Sequence, residues 1–391
     1  DNNITLLSES LAPYLYYSNA HMIAAYERPV VSVDIGGGTT DVVVIKDELP
    51  VLVTSLKFAG NSIFGDGYNS SRKLNGFLSK YLEGRNGSTG YREKLTAYPM
   101  LKALVDSMDN SGSSDVISLL FSLKTNPELE KEGLSIDFST DLAQDNQLKV
   151  VLVLFYCAII FHISRLMKSK GLQPPEEILL SGTGSLTLRI ADGLIDSSSA
   201  PVHLSRLTKE IFKNVFDPSE VRQVNLHIDK DPKKITAKGA ILFDKDDFVS
   251  KQSQRLGPDF DDVQSIMKEL SETYIGELDG AATIGRDMTY SNAKADGSFE
   301  KIVANEFNEF IKCMDLLQEK DVFKDQFGIE DIDMKNSLEE LKLNFKNGLQ
   351  KGLDEKLMEI GSSDDENVNE PPFFYPFHFS LCKIASKLSG L

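Results

Sequence analysis

The sequence predicts an α/β protein, and three segments carry that expectation. Residues 30–45 (VVSVDIGGGTTDVVVI) read as strand, glycine turn, strand, with both strands rich in β-branched residues. Residues 178–190 read as a short apolar strand ending at Ser181, a small-residue turn (Gly182-Thr183-Gly184-Ser185) and an apolar-periodic helix. Residues 223–241 give a third strand, a turn at Asp231-Pro232 and a helix ending in Ala237-Lys238-Gly239-Ala240-Ile241.

The first segment carries the chemistry. Asp34 closes one strand and Thr39-Thr40-Asp41 opens the next. Gly36, Gly37 and Gly38 leave the backbone bare, so its N–H groups can approach an anion closely. The flanking acids and hydroxyls suit a metal ion and its waters held against a phosphate. The run is neither a GxxxxGK[ST] loop before a helix nor a GxGxxG turn.

The remaining elements follow in chain order. Residues 4–26 read as helical around an irregularity at Pro13, with Glu9 near the start, where an acid favours the helix dipole. Strands at 42–46 and 51–58 meander around Lys46-Asp47-Glu48. Asp66, between Gly65 and Gly67, reads as a turn acid. Residues 68–145 are mostly helical and polar, interrupted by loop signals at 84–90 and 110–114. The apolar run 148–163 is about 16 residues, short of the roughly 20 a membrane span needs, and reads as a buried core helix. Beyond 244, helices are expected near 260–278, 298–319, 335–360 and 376–390, with a loop at 279–297 and an acidic linker at 361–372. The aromatic cluster Phe373, Phe374, Tyr375, Phe377 and Phe379 is expected to pack against the body of the protein.

At 391 residues the chain has room for two or three domains. A formal net charge of −17, most of it beyond residue 244, argues against a nucleic-acid partner or an anionic membrane surface, since both need clustered Lys and Arg. Three scattered cysteines without metal spacing, and no basic-then-apolar leader, fit a reducing, cytoplasmic location.

The run from Asp34 to Asp41 resembles the second phosphate motif of the actin-like ATPase superfamily. Its members include actin, the heat-shock chaperone ATPases, the sugar kinases and the bacterial actin homologues, and this spelling is nearest to the bacterial members. The turn at Gly182–Ser185 is similar to the superfamily's adenosine motif, with Thr183 in place of a second glycine. The segment 223–241 resembles the strand and helix that close the ATPase core. Gly60-Asn61 stands where a Gly-Gly pair often begins the excursion into a second subdomain. The resemblance implies a ribonuclease-H-like, actin-type ATPase half: core at 1–67 and 146–243, an inserted helical lid at 68–145, and an acidic helical extension at 244–391 that resembles no family.

The same resemblance implies ATP and Mg²⁺ as ligands. Asp34 would hold Mg²⁺ through water and Glu9 would position the attacking water. Gly36, Gly37, Gly38, Thr39 and Thr40 would face the phosphates, and Asp41 would tie down the loop. Gly182, Thr183, Gly184 and Ser185 would face the adenosine, and Arg92, Glu93 and Lys94 are candidates at the base of the lid. The opposing first phosphate loop is not spelled anywhere. The chain therefore reads as the second half of a longer protein, an ATPase when the first half is supplied. It would act as a nucleotide-gated switch in a bacterial cell-division, cytoskeletal or chaperone-like setting. A non-catalytic scaffold that binds a protein partner or self-associates through the extension is the alternative, and a small-molecule kinase a further one.

Overall fold

The computed structural model describes residues 9–21, 23–68, 75–84, 89–195, 199–229, 231–271, 288–295, 297–361 and 366–390. The chain divides into two compact units: Asp1–Ala59 with Ile159–Gly285 and Asn369–Pro371, and Gly60–Ala158 with Arg286–Val368 and Pro372–Leu391.

The first unit is mixed α/β, built on a five-stranded sheet in the order β3-β2-β1-β4-β5. The strands are β1 (Val30–Ile35), β2 (Thr40–Lys46), β3 (Leu49–Leu56), β4 (Glu177–Ser181) and β5 (Asn225–Ile228). The first three form an antiparallel meander, while β4 runs parallel to β1 and β5 parallel to β4. Every β1 residue is buried, as a central strand covered on both faces must be. The β2–β3 hairpin turns through Asp47 and Glu48, both at positive φ, the combination a tight two-residue hairpin requires.

Pairing registers sort the side chains by face. Val30 and Leu179 share one face with Val43 and Ile45, in a core with Leu11, Tyr14, Tyr17 and Ile235. Helices Leu11–His21 and Pro232–Ile241 therefore cover that face, and they pack extensively on each other. Their contact is close: a Cβ on Gly239 would overlap the Ala12 carbonyl. Pro13 falls in the first turn of its helix, where a missing N–H leaves no bond unmade. The part of the expected helix at 4–8 lies outside the described residues.

Helix Lys245–Leu256 also joins this unit, although its polar run (KDDFVSKQSQRL) gave no helical reading. Asp244 caps it by accepting from the amides of Asp246 and Asp247, and only Phe248 and Gln252 are buried on it. The expected helix at 260–278 is described as Val263–Leu270, capped by Asp262, with residues beyond 271 outside the described set.

The second unit is helical. Segment 75–158 and the helices after 288 share its core, so the stretch read as a lid and most of the stretch read as an extension fold together. Gly76 lies against the Ala385 backbone, and Lys149 donates to the Phe327 carbonyl. Helices Asp331–Ile360 and Tyr375–Leu388 pack most heavily, with Gly348 and Gly352 giving room for Pro376 and Tyr375. Phe310, Phe373 and Phe377 form the aromatic centre, with Phe310 and Phe373 each 4.9 Å from Phe377 between ring centroids. The aromatic cluster thus packs inside this unit. Helix Tyr290–Ala295 falls within the loop expected at 279–297, and a further short helix spans Val322–Phe327.

The apolar run became helix Asn146–Ser169, which contributes residues to both units. It is long and apolar enough to cross a membrane by composition, yet 94% of its most apolar stretch is buried within the protein.

Candidate functional site

The sheet registers bring three polar residues into one row. Asp34 pairs with Asp41 across β1–β2 and with Ser181 across β1–β4, so all three project from the same face at the carboxyl end of β1. That end of a parallel pair is where open α/β sheets bind ligands. Asp34 is buried, at 6% exposure. Ser181 Oγ donates to Asp34 Oδ2 at 2.7 Å, while the Thr236 hydroxyl, on helix Pro232–Ile241, donates to the Pro232 carbonyl at 3.5 Å. Burial raises the Asp34 pKa above the ordinary range, and the charges of Glu9 and Asp41 add to that rise. The Ser181 hydroxyl opposes it.

The glycine loop closes on itself through Gly36 N–H to the Thr39 carbonyl at 2.9 Å. Gly37, Gly38 and Thr39 are exposed. None of the three glycines adopts a positive φ, and a Cβ on Gly38 would meet nothing within 4 Å. The protein's own fold does not require glycine at position 38.

The second turn differs. Gly182 has φ +75°, and a Cβ on it would overlap the Ile35 carbonyl and come within 2.6 Å of Asp34 Oδ1. Gly184 donates to the Ile35 carbonyl at 2.8 Å, and a Cβ on it would stand 2.6 Å from Ile35 Cγ2. Both glycines are thus demanded by the close approach of this turn to the end of β1. Thr183 between them is exposed beside the glycine loop's strand end.

Two expected ligand residues leave the site. Thr40 pairs with Ile35, one position from Asp34, so the pleat turns it to the opposite face. It is buried there, donating to the Phe58 carbonyl at 2.7 Å. Ser185 is fully buried and donates to the Gly182 carbonyl at 2.7 Å, closing its own turn. Glu9, by contrast, is exposed just ahead of helix Leu11–His21, close enough for its charge to act on Asp34. In the second unit, Arg92 is committed to Glu83 and Asp109, Lys94 lies over the Tyr91 ring, and Asp66 accepts from Ser113. Glu93 is exposed.

Among the described residues no group of three or more His, Cys, Asp or Glu forms a metal cage. The donor set fits Mg²⁺ in its usual manner, in which one or two carboxylates act through retained waters and phosphate oxygens complete the shell.

Sequence reading missed a cavity of about 1090 Å³ at the opposite end of the same sheet, where β1, β4 and β5 begin. Tyr17, Arg28, Glu177, Arg206 and His227 are among its lining, and His227 pairs with Glu177 at 2.6 Å. Its walls come from four separated segments, and no local motif marks them. The polar row and bare loop, not this cavity, hold the chemistry expected of a phosphate site.

No protein-family model matches the chain, and no curated protein matches its sequence.

Proposed function

We propose that this chain is an ATP-binding module of the actin-like superfamily, a ribonuclease-H-like second half that acts as a nucleotide-gated switch. The observation that carries this reading is the exposed Gly36-Gly37-Gly38 loop flanked by Asp34 and Asp41, with a glycine at 38 that the fold itself does not need. The sheet supports it: an antiparallel meander on one side of β1 and two parallel strands on the other is the arrangement expected of a ribonuclease-H-like half.

The residues would act as follows. The N–H groups of the loop and the Thr39 hydroxyl cradle phosphate oxygens. Asp34 would hold Mg²⁺ through its waters, and the ion would supply charge neutralisation on the phosphates. Glu9 would position a water by accepting a hydrogen bond from it. Asp41 would tie down the loop. Thr183 presents a hydroxyl where the nucleoside side of the ligand would lie, with Gly182 and Gly184 holding that turn against β1. Turnover needs an opposing phosphate loop, which the sequence does not spell. The scaffold alternative draws on that gap.

The test is calorimetric titration of the full chain with ATP, with and without Mg²⁺, followed by phosphate release. Micromolar binding that Asp34→Ala weakens tenfold or more supports the site. Absence of binding in this chain and in any longer form removes the nucleotide reading and favours the scaffold. Phosphate transfer that appears only with an added sugar favours the kinase.

A further inference from the structure

We propose that Ser181 is a positioning residue for Asp34, fixing its carboxylate to receive a hydrated divalent cation. The inference rests on the nucleotide reading above and deepens it.

Ser181 Oγ has two acceptors in reach: the Val33 carbonyl at 3.4 Å and Asp34 Oδ2 at 2.7 Å. The shorter contact decides for the carboxylate. Ser181 is 1% exposed and follows the apolar residues Ile178, Leu179 and Leu180 of β4, so its hydroxyl serves Asp34 rather than solvent. The next residue, Gly182, is the one whose Cβ would press on Oδ1, so β4 grips one carboxylate oxygen and keeps side-chain bulk away from the other.

Partners of this kind around a metal-side carboxylate typically alter metal affinity by about 10–100-fold.

Ser181→Ala and Ser181→Thr test this in the full chain, the second keeping the hydroxyl. Each is titrated with ATP in EDTA and across a Mg²⁺ series. Mn²⁺ binding in the presence of ATP is read by electron paramagnetic resonance. The expected result for Ser181→Ala is ATP affinity in EDTA within twofold of the parent, a Mg²⁺ half-saturation raised about tenfold, and matching weakening of Mn²⁺. Ser181→Thr should restore the parent value. Unchanged Mg²⁺ and Mn²⁺ half-saturation in Ser181→Ala overturns the proposal, as does an equal loss of ATP affinity with and without metal. An unmutated chain that binds neither ATP nor Mn²⁺–ATP fails at the earlier step and overturns both readings together.

Discussion

Asp34 and Asp41 stand directly opposite each other across the antiparallel β1–β2 pair, two like charges at the mouth of a glycine turn. Like charges in that position oppose folding. Asp34 adds burial to repulsion, and both raise its pKa. The linkage sign follows: below the ordinary carboxylate value of 3.8 both states are protonated, and as pH rises the unfolded chain ionises first, so stability falls until Asp34 ionises in the fold. At neutral pH, Asp41→Asn and Asp34→Asn should therefore each stabilise the ligand-free protein, by roughly 0.5–1 kcal/mol, while weakening Mg²⁺-dependent nucleotide binding. Thermal melts at pH 7, with and without Mg²⁺–ATP, read both effects. Destabilisation of the ligand-free form by either change would contradict the assignment.

The two glycine turns should separate fold from function. Gly38→Ala meets open space at a permitted φ, so its stability should stay within about 0.5 kcal/mol of the parent while nucleotide affinity falls. Gly182→Ala forces an alanine to φ +75° against the Ile35 carbonyl, and should cost about 2 kcal/mol or more. Urea unfolding of the two variants, paired with ATP titration of the first, checks the contrast.

Gly239→Ala places a methyl group on the Ala12 carbonyl, where backbone meets backbone and no side chain can yield. Roughly 2–3 kcal/mol of destabilisation is expected, with ATP affinity reduced because Glu9 moves with helix Leu11–His21. Loss of stability with unaltered ATP binding would separate the helix pair from the site.

In the second unit, Ser62 Oγ and His378 Nδ1 are 2.8 Å apart, and the His378 ring lies 4.7 Å from that of Tyr68. Burial pushes the His378 pKa down to about 4 from 6.5, against a smaller opposing bond to the Gly67 backbone. The unfolded chain takes up this proton first, so the stability is complete above about pH 6.5 and is lost as pH falls toward 4. A loss on the order of 1–2 kcal/mol is expected, since the imidazole is partly exposed. Urea midpoints between pH 7 and 4.5 should flatten in His378→Gln; an unchanged slope would assign the acid sensitivity elsewhere.

The local chemistry of this protein was legible because it is contiguous. Strand, glycine turn and strand at 30–45 announce themselves by β-branching and three glycines, and Asp34 and Asp41 flank the turn whatever surrounds it. The strand and turn at 178–185 and the helix around Gly239 were likewise readable from pattern. Helix Lys245–Leu256 was not, because it buries only two side chains and leaves almost no apolar period.

What the tertiary structure decided is direction and partnership. Whether Thr40 faces the site depends on pleat parity, and parity is fixed only when β1 and β2 pair in register. Whether Gly182 serves a ligand or the fold depends on how closely β4 lies beside β1, a distance set by strands about 140 residues apart in the chain. Ser181 became a partner of Asp34 for the same reason: it is remote in sequence, and only the paired sheet brings its hydroxyl to the carboxylate. The sequence by itself determined which residues can do the chemistry, and three-dimensional packing determined which of them face it.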